Sequence, residues 1–132
     1  GARVYVAALA RVVGSDDYRA RWLIGADGSV TAQLARGGTA LVSQNMAGFT
    51  FAAGTVYNVR VQAFGTGTTT LRSKLWAAGT TEPAAWQLST TDSTAALQTA
   101  GHVGISTYAG SGFTSVPYTL TFDDFRARGV TP

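Results

Sequence analysis

Seven carboxylates and one histidine are the residues of this sequence that could catalyse a hydrolysis. The carboxylates are Asp16, Asp17, Asp27, Glu82, Asp92, Asp123 and Asp124, and the histidine is His102. A glycosidase needs two carboxylates facing each other across a cleft. No close pair lies on one strand face, and the neighbours Asp123 and Asp124 would point to opposite faces of a strand. His102 has no Gly-x-Ser-x-Gly motif to serve, so the sequence predicts a protein that is not an enzyme.

A second set of residues could bind a ligand rather than transform it. Strand alternation that buries Tyr18, Leu71 and Leu75 turns a basic set outward, and if the strands share one sheet these side chains form one cationic surface. Guanidinium groups suit carboxylates and sulfates, which predicts a groove for an anionic glycan. The alternative is an ordinary solvated strand face. The predicted set is Arg19, Arg21, Arg60, Gln62, Arg72 and Lys74.

Exposed aromatic rings could stack on the apolar face of a sugar. Trp76 falls on the outward register of its strand and completes the predicted site, with Trp86 and Tyr108 next in line. If Trp76 stacks on sugar, Trp76→Ala and Arg72→Ala should weaken glycan retention without unfolding the protein. The alternative is that Trp76 and Trp86 pack together, or on Glu82 and Pro83, as a structural corner.

Composition limits the class of protein. The 132 residues suit one domain over 1–132, with 45% hydrophobic and only 13% charged residues. Ten Lys and Arg against seven Asp and Glu give a net charge of +3, and without a recognisable motif this excess does not predict nucleic-acid binding. Cysteine is absent, which excludes disulfides. No apolar run approaches the ~18 residues of a membrane span.

Period-2 patterns separated by turn signals predict the elements that position these residues. Strands are predicted over 3–13, 18–24, 29–35, 39–44, 56–64, 69–76, 102–108 and 117–128, with one helix-like piece over 93–100. Asp27-Gly28 is a hairpin dipeptide. About eight short strands at regular spacing predict an all-β antiparallel sandwich or barrel. The predicted core is Val6, Leu9, Tyr18, Trp22, Ile24, Val30, Leu34, Leu41, Phe51, Tyr57, Val59, Val61, Leu71, Leu75, Val103, Ile105, Leu120 and Phe122.

Several segments resemble a known family. YRARWLIGADGSVTAQLAR, VYNVRVQAFGTGTTTLRSKLWAAGTTEPAAWQLSTTDSTAALQTAGHVGI and LTFDDFRA resemble the concanavalin A-like (laminin-G-like) jelly-roll modules of secreted actinobacterial and phage-associated proteins. The resemblance covers most of the chain, and its most specific part runs from Trp76 through Trp86 into TDSTAALQTAGHVGI. It implies an antiparallel jelly-roll β-sandwich in an extracellular protein, acting as an accessory module, with carbohydrate binding the role assumed for many members.

The resemblance also implies a metal and an open edge. Many such folds hold a structural Ca²⁺ near the last strand, for which Asp123 is the candidate here; the alternative is Asp123 paired with Arg126 or a backbone amide. A structural Ca²⁺ is therefore the single candidate cofactor, and no other cofactor is predicted. Because family members have further strands upstream, we expect an exposed sheet edge that another segment, another subunit or a neighbouring domain completes.

Two functions follow as expectations. The first is a non-catalytic module that binds a polysaccharide or cell-surface glycan. The second is a structural or assembly subunit of a fibre, phage tail or surface layer, in which exposed sheet edges make protein–protein contacts. The oligomeric state separates them, because an assembly subunit should not stay monomeric.

Overall fold

The strand patterns of the sequence form two antiparallel sheets in the computed structural model, which describes residues 2–114 and 117–130. The larger sheet has the order β4-β3-β2-β1-β8 and the smaller one β5-β6-β7. The all-β class and the antiparallel sandwich are therefore confirmed. The strands are β1 (Arg3–Val13), β2 (Asp16–Gly25), β3 (Val30–Arg36), β4 (Thr39–Asn45), β5 (Tyr57–Phe64), β6 (Thr69–Ala77), β7 (Leu88–Asp92) and β8 (His102–Ala109).

The predicted Asp27-Gly28 hairpin joins β2 to β3. Gly28 has a φ of 83°, and its amide donates to the Gly25 carbonyl at 3.0 Å. The Asp27 carboxylate accepts the Ser29 amide at 3.0 Å. A Cβ on Gly28 would lie 2.7 Å from the Phe51 carbonyl oxygen, so both backbone angle and space require glycine here.

The core lies between the two sheets. Tyr18, Trp22 and Leu34 of the larger sheet are buried against Leu71 and Leu75 of the smaller one. The Tyr18 hydroxyl donates to Asp92 of β7, which ties the two sheets together at one end. Of the predicted core, the buried members are Tyr18, Trp22, Val30, Leu34, Leu71 and Leu75, and those partly buried against them are Ile24, Leu41, Phe51, Tyr57 and Val61.

The other predicted core residues lie outside this cluster. Val6 and Leu9 are half-buried, and Leu9 faces outward because it pairs with Arg19. Leu120 is half-buried on a segment that has no strand. The prediction was wrong for four residues that are exposed: Val59, Val103, Ile105 and Phe122. Val59, Val103 and Ile105 do face inward. Among the described strands, none of the smaller sheet lies over Val103 and Ile105 on β8, and Val59 lies on β5, the edge strand of the smaller sheet, so period 2 identified the face and overestimated the burial.

The last predicted strand is also wrong. Residues 117–128 form no strand, and the eighth strand is instead β7, Leu88–Asp92. β7 forms because it pairs with β6, Leu88 opposite Ser73; the segment 117–128 has the period-2 pattern of a strand without a ladder partner. The predicted helix-like piece is shorter than expected, a single 3₁₀ turn over Ala95–Leu97 that buries Leu97.

Candidate functional site

The predicted site residues divide between the two outer faces of the sandwich. Arg19 and Arg21 lie on β2 of the larger sheet, whereas the other five lie on β5 and β6 of the smaller sheet. The sheets pack through their inner faces, so the two outer faces point away from each other. The single cationic surface that the sequence predicted is therefore not formed. The five on the smaller sheet are Arg60, Gln62, Arg72, Lys74 and Trp76.

A groove lies on the outer face of the larger sheet. Strand register aligns Tyr108 of β8 with Tyr5 of β1, and in the next row Ser106 with Ala7 and Ala7 with Arg21. Small Ser and Ala side chains between a tyrosine pair and an arginine leave a depression of about 490 Å³. We call it the tyrosine–arginine groove; it is lined by Tyr5, Ala7, Arg19, Arg21, Ser106 and Tyr108.

Two tyrosines form one wall of the groove. Their rings meet edge to face, with centroids 5.6 Å apart and planes at 66°. Tyr108 is 62% exposed, whereas Tyr5 is half-buried beneath it. An exposed ring held by a second ring is a ready platform for an apolar ligand face, because it loses little freedom on binding.

Arg21 lines the groove on the β2 side of Tyr5 and is held in place by three neighbours. Its Nε donates to Gln33 Oε1 at 2.6 Å, and its Nη2 donates to the Gly38 carbonyl at 3.1 Å. Its guanidinium carbon lies 5.9 Å from the centre of the Tyr5 ring. Gln33 in turn donates to Ser43 Oγ at 3.2 Å, so a row of polar side chains across β2, β3 and β4 fixes the guanidinium.

The two arginines of the groove differ in charge balance. Arg19 forms a two-pronged bond with Asp17 at 2.7 and 2.6 Å, and that hydrogen bond raises the pKa of Arg19. Burial lowers the pKa of Arg21, as does the neighbouring charge of Arg19. Among the described residues no carboxylate pairs with Arg21. The groove therefore holds one positive charge that an anionic ligand could neutralise.

The outer face of the smaller sheet carries a cluster of a different kind. Glu82 accepts from Arg60 at 2.9 Å and from Lys74 at 2.8 Å. Arg72 lies between two rings, 4.8 Å from Phe64 and 5.1 Å from Trp86. We call this the arginine–tryptophan cluster; it consists of Arg60, Gln62, Phe64, Arg72, Lys74, Glu82 and Trp86.

The loop before β7 covers this cluster. Lys74 is only 6% exposed and donates to the Pro83 carbonyl at 2.6 Å. The Gln87 side chain bonds both the amide and the carbonyl of Leu75, at 2.7 and 2.9 Å, and so extends the β-ladder of β6 by one rung. The cationic groups are used to fasten the loop to the sheet, which leaves little for a ligand.

Trp76 and Trp86 do not have the same surroundings. Trp86 stacks on cations, with Lys74 Nζ 4.8 Å from its ring, and this agrees with the alternative of a structural corner at Glu82 and Pro83. Trp76 is half-buried on the same outer face, opposite Asn58. Neither ring lies near the tyrosine–arginine groove.

Asp123 lies on the exposed segment after β8, and its carboxylate accepts the Asp124 amide at 2.8 Å. No group of three His, Cys, Asp or Glu side chains suited to a metal lies within residues 2–114 and 117–130. His102 is exposed at the start of β8.

Within residues 2–114 and 117–130, no helix is long and apolar enough to cross a membrane.

Sequence reasoning missed Tyr5, Gln33 and Ser106 as parts of a site. Each belongs to a strand that the sequence predicts, but they are brought together only by the register of four adjacent strands, β8, β1, β2 and β3. Chemically, the groove combines an aromatic platform, a fixed guanidinium and neutral hydrogen-bonding groups, which is the equipment for binding a polar ring with an anionic substituent.

The chain was compared with protein-family models, curated proteins and solved structures, and none of the three comparisons gave a match.

Proposed function

We propose that the protein is a non-catalytic carbohydrate-binding module of a secreted protein, which holds an acidic oligosaccharide in the tyrosine–arginine groove. The observation that carries the proposal is the placement of the exposed Tyr108 ring across a groove from Arg21, which has no carboxylate partner within the described residues. A sugar ring would stack on Tyr108 while its carboxylate or sulfate accepts hydrogen bonds from Arg21.

The resemblance to concanavalin A-like modules supports the same proposal, since carbohydrate binding is the role assumed for many of them. It also supports an extracellular location and leaves a structural Ca²⁺ as a proposal for Asp123. The two-sheet antiparallel architecture is what such a module requires. The groove moves the proposed ligand to the larger sheet, away from Arg60, Arg72 and Trp76.

The test is retention in a native gel that contains polygalacturonate, compared with a gel that contains a neutral β-glucan. Wild-type protein should be slowed by polygalacturonate, and Arg21→Ala should abolish the slowing. Arg60→Ala is the matched control, because it removes the same charge from the opposite face and should be retained like wild type.

Equal loss in Arg21→Ala and Arg60→Ala would indicate retention by net charge alone and would overturn the proposed groove. If neither polymer slowed the wild-type protein, the proposal that the groove binds an acidic glycan would lose its support. Circular dichroism of each variant ensures that a lost interaction is not a lost fold.

A further inference from the structure

The sandwich is uncovered along one side, at the edge strand β8. β5 lies over β1 and β2, and β7 lies over β3 and β4, whereas β8 contacts only β1 among the described strands. Ile105 pairs with Ala8, which packs on the core, so Ile105 faces inward. Yet Val103 and Ile105 are 47% and 40% exposed. The inner face of β8 thus has no strand of the smaller sheet above it.

The neighbouring strand of the smaller sheet has a free edge at the same place. Within the described residues β5 pairs with β6 alone, so its other edge has unpaired amide and carbonyl groups. Val59 pairs with Leu75 and so faces inward, but it is 46% exposed. One additional strand on this edge would satisfy the backbone and cover Val59, Val103 and Ile105 together.

A segment with the properties of such a strand follows β8. Tyr118, Leu120 and Phe122 alternate with small polar residues and Asp123. The segment forms no ladder, and Tyr118 and Phe122 are exposed. Asp124 has a φ of 52°, which ends an extended run after Asp123. The segment from Tyr118 to Asp123 therefore carries an apolar face without a sheet to cover.

Strand direction decides whose edge this segment covers. β8 ends beside the start of β1, where the Gly110 amide donates to Arg3. The chain entering β5 is held at the same end, since Phe51 bonds Gly28 in the turn after β2. The Phe113 ring contacts Tyr118 at 5.1 Å between centroids, which keeps the start of the segment there as well. Within one molecule it would therefore run parallel to β5.

A second molecule imposes no such direction. A segment donated across a two-fold axis can lie antiparallel to β5, like each strand pair observed here, and antiparallel ladders are the more stable per residue. In that direction Asp123 reaches the start of β5, on the outward face that presents Arg60. Asp123 would then join Glu82 in accepting from the exposed Arg60, while Leu120 and Phe122 face inward.

We propose that the free edge of β5 binds the segment Tyr118–Asp123 of a second copy, and that the exchange is reciprocal and gives a symmetric dimer. The dimer buries inner-face residues and the edge of β5 with its outward Arg60, all away from the outer face of the larger sheet, so it leaves the tyrosine–arginine groove open in each copy. The proposal is independent of the carbohydrate function, and it is a specific form of the edge-mediated assembly that the sequence predicts.

The first experiment is sedimentation of the 132-residue chain over a range of concentrations. Wild type should be a dimer, and Phe122→Asp should raise the concentration of half-dissociation at least about tenfold, because a charge would have to enter the apolar inner face. Phe125→Asp is the matched control outside the exchanged segment and should stay dimeric. A wild-type monomer at every concentration overturns the proposal.

Cross-linking separates a second copy from the same copy. The chain has no cysteine, so Arg60→Cys and Asp123→Cys variants can be mixed and oxidised, and a covalent dimer of one molecule of each is expected. Ser43→Cys on the exposed edge strand β4 replaces Arg60→Cys as the control and should give none. In a variant that carries both Arg60→Cys and Asp123→Cys on one chain, a disulfide within a monomer would show that the segment pairs within its own chain, and this would overturn the exchange. All three sites are exposed, so these variants should fold.

Discussion

The two outer faces of this protein carry similar residues but use them differently. On the larger sheet, Arg21 is fixed by Gln33 and Gly38 and still has no carboxylate partner among the described residues. On the smaller sheet, Lys74 is closed in by Glu82 and Pro83, and Arg72 lies between two rings. A cationic strand face is therefore not a site in itself. What matters is whether a neighbouring loop has already neutralised and covered the charges.

The largest expected effect is on ligand affinity at the outer face of the larger sheet, which carries the tyrosine–arginine groove. Tyr108→Ala removes the aromatic platform and should weaken binding of acidic oligosaccharide by about 2 kcal/mol, which is about thirtyfold in Kd. Because Tyr108 is 62% exposed, the free energy of unfolding should change by less than about 0.5 kcal/mol. Calorimetric titration and urea unfolding measure the two quantities. A large loss of stability with intact binding would reverse the roles assigned to the two faces.

The next largest effect is on stability, and it concerns the outer face of the smaller sheet, which carries the arginine–tryptophan cluster. Trp86→Ala removes the ring that contacts Arg72 and Lys74, and the free energy of unfolding should fall by about 1–2 kcal/mol. Binding in the tyrosine–arginine groove should be unchanged, since the two faces point in opposite directions. Trp76→Ala is the comparison, because this ring has none of those cation contacts among the described residues. If Trp86→Ala instead lost glycan binding while keeping its stability, the cluster would be the site.

A smaller effect sharpens the account of the groove. Arg21→Lys keeps the charge but loses the planar fork that bonds Gln33 and Gly38, so we expect an affinity loss of about fivefold to tenfold. Gln33→Ala should have a similar but smaller effect, because it frees the guanidinium without removing it. Calorimetric titration of both variants and of wild type with the acidic oligosaccharide gives the order of the three affinities. Unchanged affinity in Arg21→Lys would mean that charge, and not geometry, is recognised.

The smallest effect concerns pH. Hydrogen bonds from Lys74 and Arg60 lower the pKa of Glu82, so Glu82 contributes stability that is present above its unfolded pKa of about 4.5 and is lost as the pH falls through the lower folded value. The unfolding free energies of wild type and Glu82→Gln should therefore converge below about pH 4.5. Urea unfolding at pH 7 and pH 3 tests this, and a difference that grew on acidification would contradict it.

Much of the fold could be predicted from the sequence because alternation is a local property. The strands β1 to β6 and β8, the Asp27-Gly28 hairpin and the core positions Tyr18, Trp22 and Leu71 all follow from period 2 and turn residues. The errors concern neighbours. Leu88–Asp92 is a strand because β6 is beside it, and residues 117–128 have the pattern without the neighbour.

The candidate site shows the same division. Alternation correctly placed Arg19, Arg21, Arg72 and Lys74 on outward faces, because successive side chains of a strand point to opposite sides. It could not determine that β2 belongs to one sheet and β5 and β6 to the other, since that choice depends on contacts between distant parts of the chain. Only the tertiary structure brought Tyr5 and Tyr108 to the side of Arg21, and only it closed the loop of Glu82 and Trp86 over Lys74.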